Sequence, residues 1–292
     1  MTPTDPDSSA TRADDACYRH PDRQSFVLCQ RCARTVCGEC QTPAPVGVIC
    51  PECMRADRDE TRARMRSRPR ARRVRTPGGI PPVTFWIMVA CAVVYVGQLV
   101  TTWLNFPVID AYGAYSPAFT DLQHGVFEPW RMLTAAFLHA SPLHLLFNLL
   151  TLWVFGRALE PMLGGLRFGT LYAVSALGGS LAVALLSPAT WVIGASGAVF
   201  GLFGAWFVVL RRMRADMTPM LVLIGLNVVM AFTNPGISWE AHLGGALVGA
   251  LCGWLVLRDL DHADRAPRSG LWAMFAIGAL CVALPPLLGL LR

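Results

Sequence analysis

Long apolar runs fill the chain from Val83 almost to its end, and they constrain its fold more than any other feature of the sequence. Of the 292 residues, 54% are hydrophobic and 15% are charged. Because a helix needs about 20 apolar residues to cross a bilayer, runs of this length and number predict an all-α polytopic membrane protein. The predicted membrane helices cover Val83 to Leu104, Leu143 to Leu159, Phe168 to Leu186, Ser196 to Leu210, Pro219 to Phe232, Trp239 to Leu257 and Leu271 to Leu291.

The arginines between these runs indicate how the chain is oriented in the membrane. The chain contains no lysine, and Arg167, Arg212 and Arg258 all fall on one side if successive helices alternate in direction. Because cytoplasmic loops are enriched in basic residues, we expect a multi-pass plasma-membrane protein whose N-terminus is cytoplasmic. Residues 105–131 and the C-terminus at Arg292 are then predicted to lie outside. Residues 1–15 are polar and acidic, unlike a secretory signal, which agrees with this orientation.

Eight Cys and His residues near the N-terminus form four pairs, each separated by two residues, within residues 17–54. Such spacing lets both members of a pair bind one ion, and eight ligands predict two closed structural zinc sites. A disulfide framework is the alternative, which a reducing cytoplasm disfavours. The pattern resembles a B-box-type zinc finger, which implies that the first and third pairs share one ion and the second and fourth the other. The predicted ligands are Cys17, His20, Cys29, Cys32, Cys37, Cys40, Cys50 and Cys53.

Polar segments flank this predicted zinc-binding domain on both sides. Residues 1–16 are rich in Thr, Asp, Ser and Pro, a composition typical of a disordered tail. Residues 55–79 form a predicted cytoplasmic linker with ten arginines. An arginine run can bind nucleic acid, but directly before a membrane helix it favours anionic lipid headgroups, at about 1 kcal/mol per Arg. We therefore expect lipid contact and no nucleic-acid partner. The zinc domain could also bind an unidentified cytoplasmic partner.

A serine and a histidine are predicted to lie at one depth in the membrane. Ser196 precedes Arg211 by fifteen residues, and His242 precedes Arg258 by sixteen. At 1.5 Å per residue, both lie roughly 22 to 24 Å above the cytoplasmic face, just below the outer surface. Gly and Ala recur at intervals of four residues on both helices, which allows close approach. Packing alone accounts for the glycines, but it does not account for a buried histidine.

Four motifs follow one another in the predicted membrane region: Glu128-Pro129-Trp130-Arg131, His139 with His144 and Asn148, Gly194-Ala195-Ser196-Gly197, and Ala241-His242-Leu243-Gly244-Gly245 with Gly249. In this order they resemble the rhomboid family of intramembrane serine proteases. The resemblance implies a rhomboid core of six transmembrane helices in residues 80–258. Residues 259–292 would then hold a linker and a seventh helix, as in the family members with an added C-terminal span.

The resemblance also implies roles for individual residues. Ser196 would be the nucleophile and His242 the general base and acid, as a dyad without an orienting carboxylate. His144, Asn148 and the backbone N–H of Ser196 would form the oxyanion hole, and His139 would have no catalytic role. The implied reaction is endopeptidase cleavage in or next to transmembrane segments of membrane-protein substrates, without a catalytic cofactor. The family often has a tyrosine four residues after the serine, whereas this chain has Phe200.

Two other classes of protein are compatible with parts of this pattern. A catalytically silent rhomboid-like protein would bind membrane proteins or serve in their quality control, but such proteins typically lack the serine or the histidine. A transporter would also carry polar residues within the membrane. It should show inverted repeats and paired broken helices, which we do not find in the sequence.

Overall fold

The computed structural model describes residues 15–44, 46–67, 79–233, 236–261 and 269–289. The chain divides into two compact units, Met1–Arg73 and Val74–Arg292. Residues 1–14 of the predicted tail and residues 68–78 of the predicted linker lie outside the described residues, as do residues 262–268 and the C-terminal end at 290–292.

The first unit is a small domain built from two short hairpins and a helix. Strands β1 (Ala16–Cys17) and β2 (His20–Gln24) pair antiparallel, as do β3 (Thr42–Pro43) and β4 (Val48–Ile49). Helix α1 (Pro51–Ser67) follows β4 directly. The buried core of this unit consists of Val36 and cysteines.

The second unit is helical and contains α2 (Pro82–Trp103), α3 (Val108–Gly113), α4 (Arg131–Thr134), α5 (Pro142–Leu163), α6 (Gly165–Leu186), α7 (Ser196–Met213), α8 (Thr218–Thr233), α9 (Trp239–Asp261) and α10 (Ser269–Gly289). Among the described residues, six of these helices are long and apolar enough to cross a membrane, namely α2, α5, α6, α7, α9 and α10. The prediction of an all-α polytopic membrane protein is therefore confirmed.

Helix α8 has nearly the bounds of the predicted fifth membrane helix, Pro219 to Phe232, but it is short for a bilayer crossing. It has 16 residues, and its part Thr218–Asn227 is a short apolar helical stretch. At 1.5 Å per residue, 16 residues span about 24 Å, less than the roughly 30 Å hydrocarbon core. The other six predicted membrane helices each overlap one of the six long helices.

Helices α7 and α9 pack with their backbones in contact. A Cβ on Gly245 would fall on the carbonyl oxygen of Gly197, and one on Gly249 would fall on the backbone of Gly201. Gly253 repeats the arrangement, since its Cβ would lie 2.8 Å from the Cα of Ala205. The small residues at intervals of four thus form the surface along which the two helices meet.

Buried carboxylates hold the first and last long helices of this unit. Glu160 on α5 accepts hydrogen bonds from the N–H groups of Val83 and Thr84 at 2.9 and 2.7 Å, which satisfies the start of α2. Asp259 on α9 accepts from the Ser269 hydroxyl at 2.6 Å and the Gly270 N–H at 2.8 Å, at the start of α10. Each carboxylate fixes a helix end where backbone donors would otherwise lack partners.

The glycine contact between α7 and α9 generates a stability prediction. Gly249→Ala should destabilise the protein by about 3 kcal/mol or more, because its Cβ meets backbone that cannot rotate away. Gly225→Ala is the matched control, since a Cβ on this α8 residue meets nothing within 4 Å. Thermal unfolding in detergent measures both variants, and equal midpoints would contradict the assigned contact.

Candidate active site and candidate metal centres

A turn at Gly194 places Ser196 at the first position of α7. Val192 forms an antiparallel bridge with Tyr115, and the Gly194 N–H donates to the Ala135 carbonyl at 2.8 Å. Gly194 has φ +128°, a backbone conformation that residues other than glycine rarely adopt. The turn therefore leaves Ser196 half-buried at a helix N-terminus, where backbone N–H groups have no partner within the helix.

His144 lies beside this turn. A Cβ on Gly194 would be 2.6 Å from Cε1 and 2.8 Å from Nε2 of His144, and 3.7 Å from Oγ of Ser196. The imidazole and the hydroxyl therefore face the same point, which the missing side chain of Gly194 leaves free. The Ser141 hydroxyl accepts from the His144 N–H at 3.2 Å and caps α5, which fixes His144 in the first turn of that helix.

His242 meets α7 one turn beyond Ser196. Its ring stacks on Phe200 with centroids 4.0 Å apart and an interplanar angle of 8°. Residues four apart lie on one helix face, so Phe200 and Ser196 share the face toward which His242 projects. Within the described residues, no hydrogen bond within 3.5 Å joins Ser196 to His242. Catalytic hydrogen bonds are often longer before substrate binds, and the dyad stays a prediction.

The remaining predicted residues surround His144. Asn148 is buried on α5 and donates one amide N–H to the His144 carbonyl at 2.9 Å, which leaves its second N–H for another acceptor. The ring of His139 lies 5.2 Å from that of His144. Burial and the neighbouring His144 lower the pKa of His139 to about 4, so this ring is neutral at pH 7. His139 thus packs against His144, and its lack of a catalytic role stays a prediction.

Several known proteins with similar sequences carry rhomboid names. The rhomboid domain matches residues 126–259. Putative rhomboid protease YdcA of Bacillus subtilis (strain 168) is 42% identical over 141 residues, which is 46% of this chain and 71% of YdcA. The chain belongs to the rhomboid family.

Other rhomboid relatives match over a smaller share of their length. RHOMBOID-like protein 6, mitochondrial, of Arabidopsis thaliana is 34% identical over 156 residues, covering 51% of this chain and 48% of that protein. Rhomboid protease GluP of Bacillus subtilis is 39% identical over 127 residues, covering 42% of this chain and 25% of GluP. The family match includes all the predicted active-site residues and excludes the eight Cys and His residues of the first unit.

The segment between α2 and α5 supports the turn before Ser196. Arg131 is buried, pairs with Glu128, and donates to the Ala111 and Ala114 carbonyls at 2.7 and 3.0 Å. Its guanidinium also lies 3.8 Å from the centre of the Phe119 ring, a cation–π contact. Ala114 precedes Tyr115, so this network orders the segment that pairs with Val192.

Two groups of Cys and His residues in the first unit could each hold a metal ion. They are Cys17, His20, Cys37 and Cys40, and Cys29, Cys32, Cys50 and Cys53, with the ligand atoms of each group within 4.8 Å of one another. The Sγ atoms of Cys32 and Cys50 are 3.8 Å apart, close to the spacing of about 3.8 Å between sulfurs around a tetrahedral zinc. The donors fit such an ion, and their grouping is the one that the B-box resemblance implies.

One residue near the candidate active site escaped the sequence reasoning. Glu240 is buried at the start of α9, two residues before His242, and bonds to Ser187 and Ser238. The signal that could have found it is a lone carboxylate in the first turn of an apolar helix, which is unusual in a membrane.

Proposed function

We propose that this chain is an intramembrane serine endopeptidase that hydrolyses peptide bonds in or next to transmembrane segments of other membrane proteins. Its rhomboid family membership supports this, as do relatives whose names describe rhomboid proteases. A catalytically silent rhomboid-like binding protein is the alternative. It accounts less well for a chain that keeps both Ser196 and His242 at the family's motif positions.

The stacking of Phe200 on His242 is the observation that carries the proposal. It brings an imidazole from α9 to the helix face on which Ser196 begins α7. A histidine needs to be within hydrogen-bond reach of a serine to activate it, directly or after closure on substrate. A stacked phenyl ring holds the imidazole plane as a tyrosine ring would, without offering a hydroxyl.

In the proposed mechanism, His242 takes the proton of the Ser196 hydroxyl while Oγ attacks the scissile carbonyl carbon. The carbonyl oxygen becomes an oxyanion, which accepts hydrogen bonds from His144, Asn148 and the Ser196 N–H. Each such donor is commonly worth about 3 kcal/mol in the barrier. His242 then returns the proton to the leaving amine as the C–N bond breaks. A water activated by His242 hydrolyses the acyl-enzyme and frees Ser196.

The substrate has to expose a peptide bond that a helix normally hides. A transmembrane helix satisfies its own carbonyl groups, so the cleaved segment must unwind before Ser196 can reach it. We therefore expect a small residue at the cut and helix-weakening residues nearby. The lipid bilayer and transmembrane proteins are the partners that this reaction requires.

The dyad generates the first functional prediction. Ser196→Ala and His242→Ala should each lower the cleavage rate by about 1,000-fold or more, because neither nucleophile nor base can act alone. Thr151→Ala is the control and should leave the rate unchanged, since among the described residues that hydroxyl bonds only to the Phe147 carbonyl of its own helix. Cleavage of a tagged single-span protein in liposomes measures all three. Retained cleavage in either purified dyad variant would exclude the assigned roles.

Orientation is the second part of the proposal. The arginine distribution supports a cytoplasmic N-terminus in the plasma membrane and an active site that opens to the outer side. An impermeant maleimide applied to intact cells should modify a cysteine introduced at Asp121 and leave one introduced at Asp261 unmodified. As the control, the cysteine introduced at Asp261 should be modified once the cells are permeabilised. Its modification in intact cells would reverse the proposed orientation.

We also propose that both metal groups bind zinc as structural ions. All eight donors are cysteine or histidine, and four protein ligands leave no open position to activate water, so the zinc would take no direct part in hydrolysis. Binding free energy in so small a domain is largely folding free energy.

Metal analysis of the purified full chain tests the zinc assignment. The wild type should contain two zinc ions per chain, and Cys53→Ser should lose at least one of them because its site keeps only three ligands. Cys252→Ser is the matched control, since this buried cysteine lies on α9 and belongs to neither group. Two ions in Cys53→Ser would contradict the ligand set.

A further inference from the structure

Glu240 is a buried carboxylate beside the candidate active site. It occupies the first turn of α9 and is only 7% exposed. A carboxylate within a membrane segment is costly to bury, and such residues are usually functional and paired with identifiable partners. The mechanism above makes no use of it.

Both oxygens of Glu240 are engaged. The Ser187 hydroxyl donates to Oε1, and the Ser238 hydroxyl donates to Oε2 at 2.9 Å. Ser187 directly follows α6, where its N–H donates to the Val183 carbonyl, and Ser238 directly precedes α9. The carboxylate therefore joins the end of one helix to the start of another.

The same bridge reaches the backbone that carries His242. Oγ of Ser238 accepts the Ala241 N–H at 3.3 Å, and the Ser238 carbonyl accepts the His242 N–H at 3.4 Å. Ala241 also lies where three helices converge, because a Cβ on Gly179 of α6 would be 2.8 Å from the Ala241 carbonyl oxygen and one on Gly197 of α7 would be 3.4 Å from it. A shift of this turn would therefore shift His242 against α7.

Glu240 and His242 point to different sides of their helix. Residues two apart are separated by about 200° around the axis, so they do not face one another. The carboxylate reaches Ser187 on the α6 side, whereas the imidazole stacks on Phe200 of α7. The hydrogen bonds that link Glu240 to His242 therefore run through Ser238 and the shared backbone turn. The negative charge also stabilises the N-terminal end of α9.

We propose that Glu240 is a positioning residue for His242, whose carboxylate bridges Ser187 and Ser238 and so fixes the turn from which the imidazole meets α7. This rests on the proposed function, since it takes His242 as the catalytic base. In a triad, a carboxylate bonds the histidine directly and orients it. In this dyad, the Glu240 bridge orients His242 through the backbone.

Kinetics of the full-length protein in liposomes test the role. Glu240→Ala should lower kcat by about 10- to 100-fold, the cost of displacing a catalytic group by a fraction of an ångström to one ångström, with KM within about 2-fold. Ser187→Ala, which removes one arm of the bridge, should lower kcat by about 3- to 10-fold. Glu240→Gln keeps the volume and one acceptor oxygen, so it should lie between Glu240→Ala and wild type.

A double variant tests whether the two residues act as one bridge. Glu240→Ala combined with Ser187→Ala should be no slower than Glu240→Ala alone, because the same contact is lost once. The reaction of Ser196 with a fluorophosphonate should slow in parallel with kcat. That reaction needs an activated serine but no protein substrate, so it separates chemistry from substrate binding.

Asp259→Asn is the matched control for a buried carboxylate on the same helix. Asp259 also accepts a serine hydroxyl, from Ser269, but it lies nineteen residues from Glu240, about 28 Å along α9. The Asp259→Asn variant should keep kcat within about 2-fold of the wild-type value, even if its thermal midpoint of unfolding falls. An equal loss of kcat in Asp259→Asn would overturn the positioning role, because the effect would then be general destabilisation.

The remaining outcomes also decide between the proposals. Glu240→Ala could keep the kcat of an active wild type and its rate of fluorophosphonate labelling at Ser196. That result would overturn the positioning role and leave the proposed function intact. A wild type that neither cleaves nor labels at Ser196 would contradict the proposed function, and the positioning role would fall with it. If Glu240→Ala fails to fold, Glu240→Gln and Ser187→Ala decide. Reduced kcat with unchanged KM supports the role, and unchanged kcat overturns it.

Discussion

Direct backbone contact between α7 and α9 is the constraint on which the rest of the membrane unit depends. Lipid tails are as apolar as leucine side chains, so helices gain little from hiding apolar surface and rely on close packing. Gly197 and Gly201 on α7 face Gly245 and Gly249 on α9, where any side chain would meet backbone. This close approach is what allows residues from two helices, such as Phe200 and His242, to stack.

Polar groups at helix ends give the packed helices their register. Glu160 accepts hydrogen bonds at the start of α2, and Asp259 does so at the start of α10. Glu240 accepts hydrogen bonds from the residues that follow α6 and precede α9. In a membrane an unsatisfied backbone donor costs several kcal/mol, so a carboxylate that accepts two or three hydrogen bonds can repay its own burial. Each of the three carboxylates joins two different helices and therefore fixes the position of one helix along its neighbour.

The candidate active site is assembled from segments that are far apart in sequence. The segment between α2 and α5 orders Tyr115, whose bridge to Val192 sets the turn at Gly194. That turn leaves room for His144 from α5 next to Ser196 from α7. His242 arrives from α9 against Phe200. The proposed nucleophile, oxyanion donor and base come from three helices and need rigid supports, which backbone bridges and buried polar bonds supply here.

The sequence by itself determined the membrane class, six of the long helices, the eight candidate metal ligands and the rhomboid motifs. These depend on local properties, since apolar length, two-residue spacing and short motifs can be read without knowing which segments meet. It placed the ends of α8 to within one residue but assigned this helix as a membrane crossing. With 16 residues, α8 is not among the six described helices that are long enough to cross a membrane. Only the tertiary structure decided that Gly194 opens toward His144 and that Asn148 bonds to the His144 carbonyl. It alone also decided that Glu240 joins Ser187, fifty-three residues away in the chain. Each of these depends on the distance between groups on different elements, which packing determines and no local pattern records.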